Sequence, residues 1–111
     1  MTDATLEQFD RAMRGIYDAA LRLNPPYRAN LFLRMVNEHG GKEAANRLLA
    51  TRNPSEGFTQ LFLRGLENLC LSVEYLVLQK PWRDLFTAEQ LAVARKRLID
   101  VQCPLPADDQ A

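Results

Sequence analysis

The chemistry this chain could do starts from its one histidine. His39 follows Arg34 by five positions in Arg34-Met35-Val36-Asn37-Glu38-His39. A guanidinium beside an imidazole suits phosphodiester cleavage, the cation neutralising the phosphate while the imidazole moves a proton. Five residues of regular helix rotate by about 140°, so the two side chains diverge unless the turn is irregular. Glu67 and Glu74 stand seven positions apart, two helical turns on one side. A carboxylate pair can serve glycoside hydrolysis, but no other residue supports that here. Cys70 and Cys103 are 33 positions apart, with no CxxC and no nearby histidine, which matches neither a zinc site nor a disulfide framework. No Gly-rich phosphate loop, HExxH or GxSxG occurs. The expectation is no catalytic residue, no metal and no cofactor, with Arg34 and His39 as the enzymatic alternative.

In form, Arg34 to His39 resembles the RxxxxH signature of the HEPN superfamily, small all-helical domains of which many are metal-independent ribonucleases. The resemblance implies that Arg34 and His39 act on a scissile phosphate. It departs from the usual pattern at Met35, where a polar residue normally follows the arginine. The plainer expectation is a solvated Arg34 and a helix-terminal His39 interacting with the helix dipole.

A second reading centres on Gly40-Gly41-Lys42-Glu43-Ala44-Ala45-Asn46-Arg47-Leu48-Leu49, followed by a loop and Phe58-Thr59-Gln60-Leu61-Phe62-Leu63-Arg64. This resembles a helix-turn-helix, with paired alanines allowing close packing and Arg47, Thr59, Gln60 and Arg64 available to DNA. Its loop of about seven residues exceeds the three or four usual for the motif. The alternative is that the alanines simply let two helices of a bundle approach.

Charge weighs against a polyanion partner. The 111 residues carry 14 Lys+Arg and 14 Asp+Glu, 47% are hydrophobic, and the pI is near 6.6. Residues 25 to 56 hold five basic and three acidic side chains, a surplus of two. That is too shallow to steer nucleic acid. Nucleic acid is therefore a possible partner but not the favoured one. Arg95-Lys96-Arg97, near Glu89 and Asp100, reads as a solvated face. No apolar run approaches the length needed to cross a bilayer, and Met1-Thr2-Asp3 opens acidic, unlike a secretory leader. A cytoplasmic, reducing setting without a membrane partner is expected.

The elements that must position these residues are helices. At this length one domain is the default, placed at residues 1–106, with 107–111 as a loose acidic tail. Leu6, Phe9, Met13, Ile16, Tyr17, Ala20 and Leu23 form one helical stripe, ended by Asn24-Pro25-Pro26. A second helix should begin near Pro26 and end at His39-Gly40-Gly41, and a third should span Lys42 to Ala50. Helical spacing from Phe58 to Gln79 predicts either one long helix or two joined at Asn68 to Ser72, with Ser72 as an N-cap. Thr87-Ala88-Glu89-Gln90 has the form of a capping box opening the last helix. No segment alternates with period two, so the predicted fold class is all-α, a compact bundle of about five helices.

The block Leu69, Leu71-Ser72-Val73-Glu74-Tyr75-Leu76-Val77-Leu78, then Trp82, Leu85-Phe86-Thr87, Leu91, Ala94-Arg95 and Arg97-Leu98 resembles a recurring pattern in small uncharacterised bacterial helical proteins. Phe32, Met35-Val36, Gly40-Gly41, Ala44-Ala45 and Leu48-Leu49 extend the similarity across about residues 27 to 98. The resemblance implies a bacterial, cytoplasmic, helical unit and no particular activity. The expected function is a non-enzymatic interaction or adaptor module. An aromatic and leucine patch around Tyr75, Trp82 and Phe86 should dock a protein partner or a second copy.

Overall fold

The computed structural model describes residues 3–109. They form an all-helical bundle, with no strand among them. Helix α1 (Asp3–Leu21) buries Phe9, Met13 and Ala20 on the stripe read from the sequence. None of the described helices is long and apolar enough to cross a membrane.

The chain does not re-enter a helix at Pro26. Tyr27 to Ala29 runs outside helical structure and α2 spans Asn30–His39. Two long-range contacts override the local preference of proline for a first helical turn. The Tyr27 N–H donates to the Ala20 carbonyl at 2.9 Å. The Arg64 guanidinium donates to the Pro25 and Pro26 carbonyls at 2.6 and 3.3 Å and lies over the Tyr27 ring.

Gly40, at φ +84°, is the only residue between α2 and α3 (Gly41–Leu49). A positive φ suits glycine because it has no Cβ to clash. Asp10, on α1, accepts the Gly41 N–H at 2.8 Å and so satisfies one of the orphan donors at the start of α3. Gln90 donates to Asn46 at 2.9 Å, joining α3 to the last helix.

The stretch expected as one long helix, or two, is divided three ways. Helix α4 (Glu56–Leu63) is capped by the Ser55 hydroxyl, which accepts the Phe58 N–H. A 3-10 segment, Leu66–Leu71, follows, and α5 (Val73–Val77) completes the run. The first break falls at Gly65, whose φ of +132° no α-helix accommodates. Ser72 does cap α5: its hydroxyl accepts the Tyr75 N–H at 3.1 Å and donates to the Leu69 carbonyl at 2.7 Å. The apolar density of this stretch reflects a central position, with Leu69, Val73, Val77 and Leu78 all buried.

After a 3-10 turn at Trp82–Leu85 comes α6 (Ala88–Asp100), opened by the capping box that Thr87 and Gln90 complete.

The acidic tail is not loose as far as the described residues reach. Asp109 takes a two-pronged ion pair from Arg95 at 2.7 and 2.9 Å and a further hydrogen bond from Arg83 at 3.0 Å. Asp108 accepts the Lys80 N–H at 2.9 Å. Residues 110 and 111 of the expected tail lie outside the described residues. Three converging charge-assisted donors outweigh the tendency of an acidic terminus to remain solvated.

Hydrogen bonding from Arg95, then the charge of Arg95 and the contact with Arg83, holds the Asp109 carboxyl below its ordinary value. A carboxyl whose folded value is lowered adds stability above its unfolded pKa, and that increment disappears as pH falls through the folded value. Asp109→Asn is therefore expected to lower the melting temperature at neutral pH, with a deficit that shrinks as pH falls below the ordinary carboxylate range. Thermal unfolding by circular dichroism from neutral to acid pH checks this, and a deficit that does not change with pH would contradict it.

Candidate binding cleft and exposed apolar surface

The residues expected to carry chemistry or binding are spread across the molecule. Arg34 and His39 are both exposed on α2. Among the described residues no hydrogen bond or ion pair joins them, and the nearest acid to the imidazole is Glu38 at 3.9 Å. The helix between them is regular, so the divergence set by five residues stands.

The helix-turn-helix residues are also occupied or separated. Arg47 pairs with Glu43 at 3.1 Å. Arg64 is consumed by Pro25, Pro26 and Gln60, and only Thr59 stands exposed without such a tie. Helix α3 packs on α1, α2, α5 and α6, whereas α4 packs chiefly on the 3-10 segment after it. The close pairing of α3 with α4 that a helix-turn-helix needs is absent among the described residues.

The aromatic patch requires a correction. Phe86 is only 8% exposed, and its ring meets Phe9 edge-on with centroids 5.5 Å apart. Trp82 is half-buried, 5.6 Å from the same Phe9 ring, and Tyr75 is half-buried against the core. Phe9 draws the rings inward, since an aromatic trio gains both burial and edge-to-face contact. Exposed apolar surface lies elsewhere, at Leu31 (70%), Leu63 (68%), Ile99 and Phe62.

Sequence reasoning did not anticipate two features that stand together. One is a half-open cleft of about 400 Å³ between α1, the 27–35 stretch and the start of α4. Ile16, Phe32, Met35, Phe58 and Leu61 make its apolar walls, Leu31 stands at its edge, and Ser72, Val73 and Glu74 also line it. The other is the ion pair behind it. Glu74 and Arg97 meet at 2.9 Å with side chains only 4% and 6% exposed.

Arg97 also donates to the Leu48 carbonyl at 3.0 Å and to the Thr51 carbonyl and hydroxyl at 2.6 and 3.1 Å. One guanidinium thereby ties together the end of α3, the loop after it, α5 and α6. Burial pushes the Glu74 carboxyl above its ordinary value, despite the opposing hydrogen bond from Arg97. The Arg97 fork is fully committed to this structural role. The sequence did carry a signal for it: Ala94, Arg97, Leu98 and Val101 follow inward helical spacing, so Arg97 sits on the buried stripe rather than the solvated face. Glu67 is exposed and Glu74 buried, so the supposed carboxylate pair does not share a face.

Gly57 lines the cleft near the start of α4, and a Cβ there would meet only the Ser55 hydroxyl at an ordinary 3.6 Å. Glycine costs a helix interior about 0.5–1 kcal/mol relative to alanine. Gly57→Ala is thus expected to raise stability by about 0.5 kcal/mol, measured by urea unfolding. A loss would show that the start of α4 needs glycine for a reason other than space.

No family model, curated protein or solved structure matches this chain.

Proposed function

We propose that the chain is a non-enzymatic protein–protein interaction module that engages a protein partner through exposed apolar side chains at Leu31, Phe62 and Leu63. The observation that carries this reading is their exposure, with Leu31 and Leu63 each more than two-thirds open to solvent. Large apolar side chains left in the open mark contact surfaces, because water is displaced from them favourably on association. Arg64, the residue after Leu63, grips Pro25 and Pro26, which ties the end of α4 to the segment that leads into α2.

The balanced charge fits recognition by apolar contact, with charge setting solubility and register. A cytoplasmic bacterial setting suits the two free thiols.

The test is affinity capture from the source organism, comparing the parent protein with Leu31→Asp and Leu63→Asp. Both positions are exposed, so both variants should fold, which circular dichroism verifies. A protein retained by the parent and lost from both variants supports the reading. Equal retention by all three, or no retained protein, contradicts it. Self-association, the second-copy form of the same reading, appears in sedimentation velocity as a concentration-dependent species that either variant removes.

A further inference from the structure

The two thiols carry an inference that does not depend on the protein-docking reading. Cys70 is exposed and Cys103 is buried, and both are free. They stand 33 positions apart in the sequence, but the fold returns the chain to the same place. The Glu74–Arg97 ion pair, at 2.9 Å, sets the start of α5 beside the end of α6. Cys70 comes just before α5 and Cys103 just after α6.

Both flanking segments turn back on themselves. The Ser72 N–H and hydroxyl both donate to the Leu69 carbonyl, at 3.0 and 2.7 Å, so Cys70 lies inside a closed turn that leads into α5. After α6 the Gln102 N–H donates to the Ile99 carbonyl and the Cys103 N–H to the Leu98 carbonyl, each at 2.9 Å. That pair of bonds is a Schellman reversal, which needs a left-handed residue at the helix exit. Gln102 supplies it at φ +61°, where glycine ordinarily stands. The reversal folds Cys103 back against the end of α6 and into the core.

Tyr75, on α5, registers both sulfurs. Burial first, and then the charges of Cys70 and Cys103, push its hydroxyl up. Burial likewise pushes the Cys103 thiol up, and the charge of Cys70 adds to it. Influence of this kind fades beyond about 8–10 Å, which makes the two thiols neighbours in the fold.

We propose that Cys70 is a site of reversible oxidation and that Cys103 resolves it, closing a disulfide that ties the entry of α5 to the exit of α6. With a small disulfide such as oxidised glutathione as the oxidant, the Cys70 thiolate attacks one sulfur and expels one glutathione thiolate. The Cys103 thiolate then attacks the Cys70 sulfur and expels the second. Each cysteine gives up one proton, the two expelled thiolates take them up, and two electrons pass from the cysteine pair to glutathione. Exposure gives Cys70 the first step, because the buried thiol is shielded from the oxidant.

The experiment equilibrates the dilute full chain with reduced and oxidised glutathione, in buffer and in urea, and reads the quenched species by mass spectrometry. In buffer the main oxidised form should be a monomer lighter by two hydrogens, with a tryptic pair joined through Cys70 and Cys103. Its equilibrium constant should exceed that of the urea-unfolded chain by about tenfold, because the fold holds the thiols closer together than a flexible loop does. Cys103→Ala should stop at the glutathione adduct on Cys70, and Cys70→Ser, at an exposed position, should resist both steps. The proposal is overturned if the parent also stops at the Cys70 adduct, if the cysteines join only between two copies, or if the folded chain closes the bond no better than the unfolded one. None of these outcomes bears on whether a protein docks at Leu31 and Leu63.

Discussion

Arg97→Ala is expected to be among the most destabilising single substitutions in this protein, at about 3–5 kcal/mol. The side chain it removes donates to the buried Glu74 Oε2 at 2.9 Å and supplies donors to Leu48 and Thr51. Removing one member of a buried pair leaves the other as an uncompensated charge, which costs far more than the pair itself contributes. Here the loss is compounded, because the Thr51 carbonyl loses its guanidinium donor and the Leu48 carbonyl, in the last turn of α3, is left with the Thr51 hydroxyl at 2.8 Å. Domains of this size are stable by about 5–15 kcal/mol, so the variant should be near the edge of folding at ambient temperature.

Two companions separate charge from packing. Arg97→Lys keeps the charge but loses the planar fork, and it should retain part of the stability while failing to satisfy both carbonyls. Arg97→Met combined with Glu74→Leu removes both charges and should be more stable than Arg97→Met alone. Urea midpoints at constant slope read all of these. A double variant no better than the single would show that the carbonyl contacts, rather than the ion pair, dominate.

Gly41→Ala should cost about 2–3 kcal/mol. A Cβ at this position would stand 2.8 Å from the Asp10 Cα and 3.2 Å from the Met13 Cγ. The nearest atom is backbone in the middle of α1, so relief requires α1 and α3 to separate. Doing so also lengthens the Asp10 to Gly41 hydrogen bond and loosens Met13, which is wholly buried. Gly40→Ala, one residue earlier, tests a different cause: a Cβ there meets nothing within 4 Å, but the residue sits at φ +84°. Its cost should come from backbone conformation alone, on the order of 1–3 kcal/mol, because this φ with ψ 161° is a region essentially confined to glycine. A Gly41→Ala variant as stable as the parent would contradict the close-approach explanation.

These two sites show where the sequence was legible. Local chemistry was readable: Thr87 with Gln90, Ser72 before α5 and the stop at His39-Gly40 each act within one helical turn, and each is realised. The inward stripe of α1 was equally plain. What escaped sequence reading depends on distant partners. Arg64 holds Pro25 and Pro26 out of the helix, Asp109 is fixed by Arg83 and Arg95, and Arg97 is drawn inward to Glu74. No spacing rule links positions 14 or more residues apart. Gly65 was the exception, since a lone glycine inside an apolar run already marks a weak point in a helix.

The binding surface failed for a related reason. Phe86 and Trp82 are large and lie in a connecting turn, which in the sequence looks like exposure, yet Phe9 from the first helix covers them. Leu31 and Leu63 lie within apolar runs of the sequence and are left open.

The proposed docking edge is tested most directly by site-specific photo-crosslinking in the source organism. A benzoylphenylalanine is placed at position 63, and a control at the exposed Glu89 on α6. A discrete crosslinked protein, or a crosslinked dimer of this chain, is expected from position 63 and not from position 89. Crosslinks of equal yield at both positions, or a discrete product from 89 alone, would contradict recognition through the Leu31 to Leu63 edge.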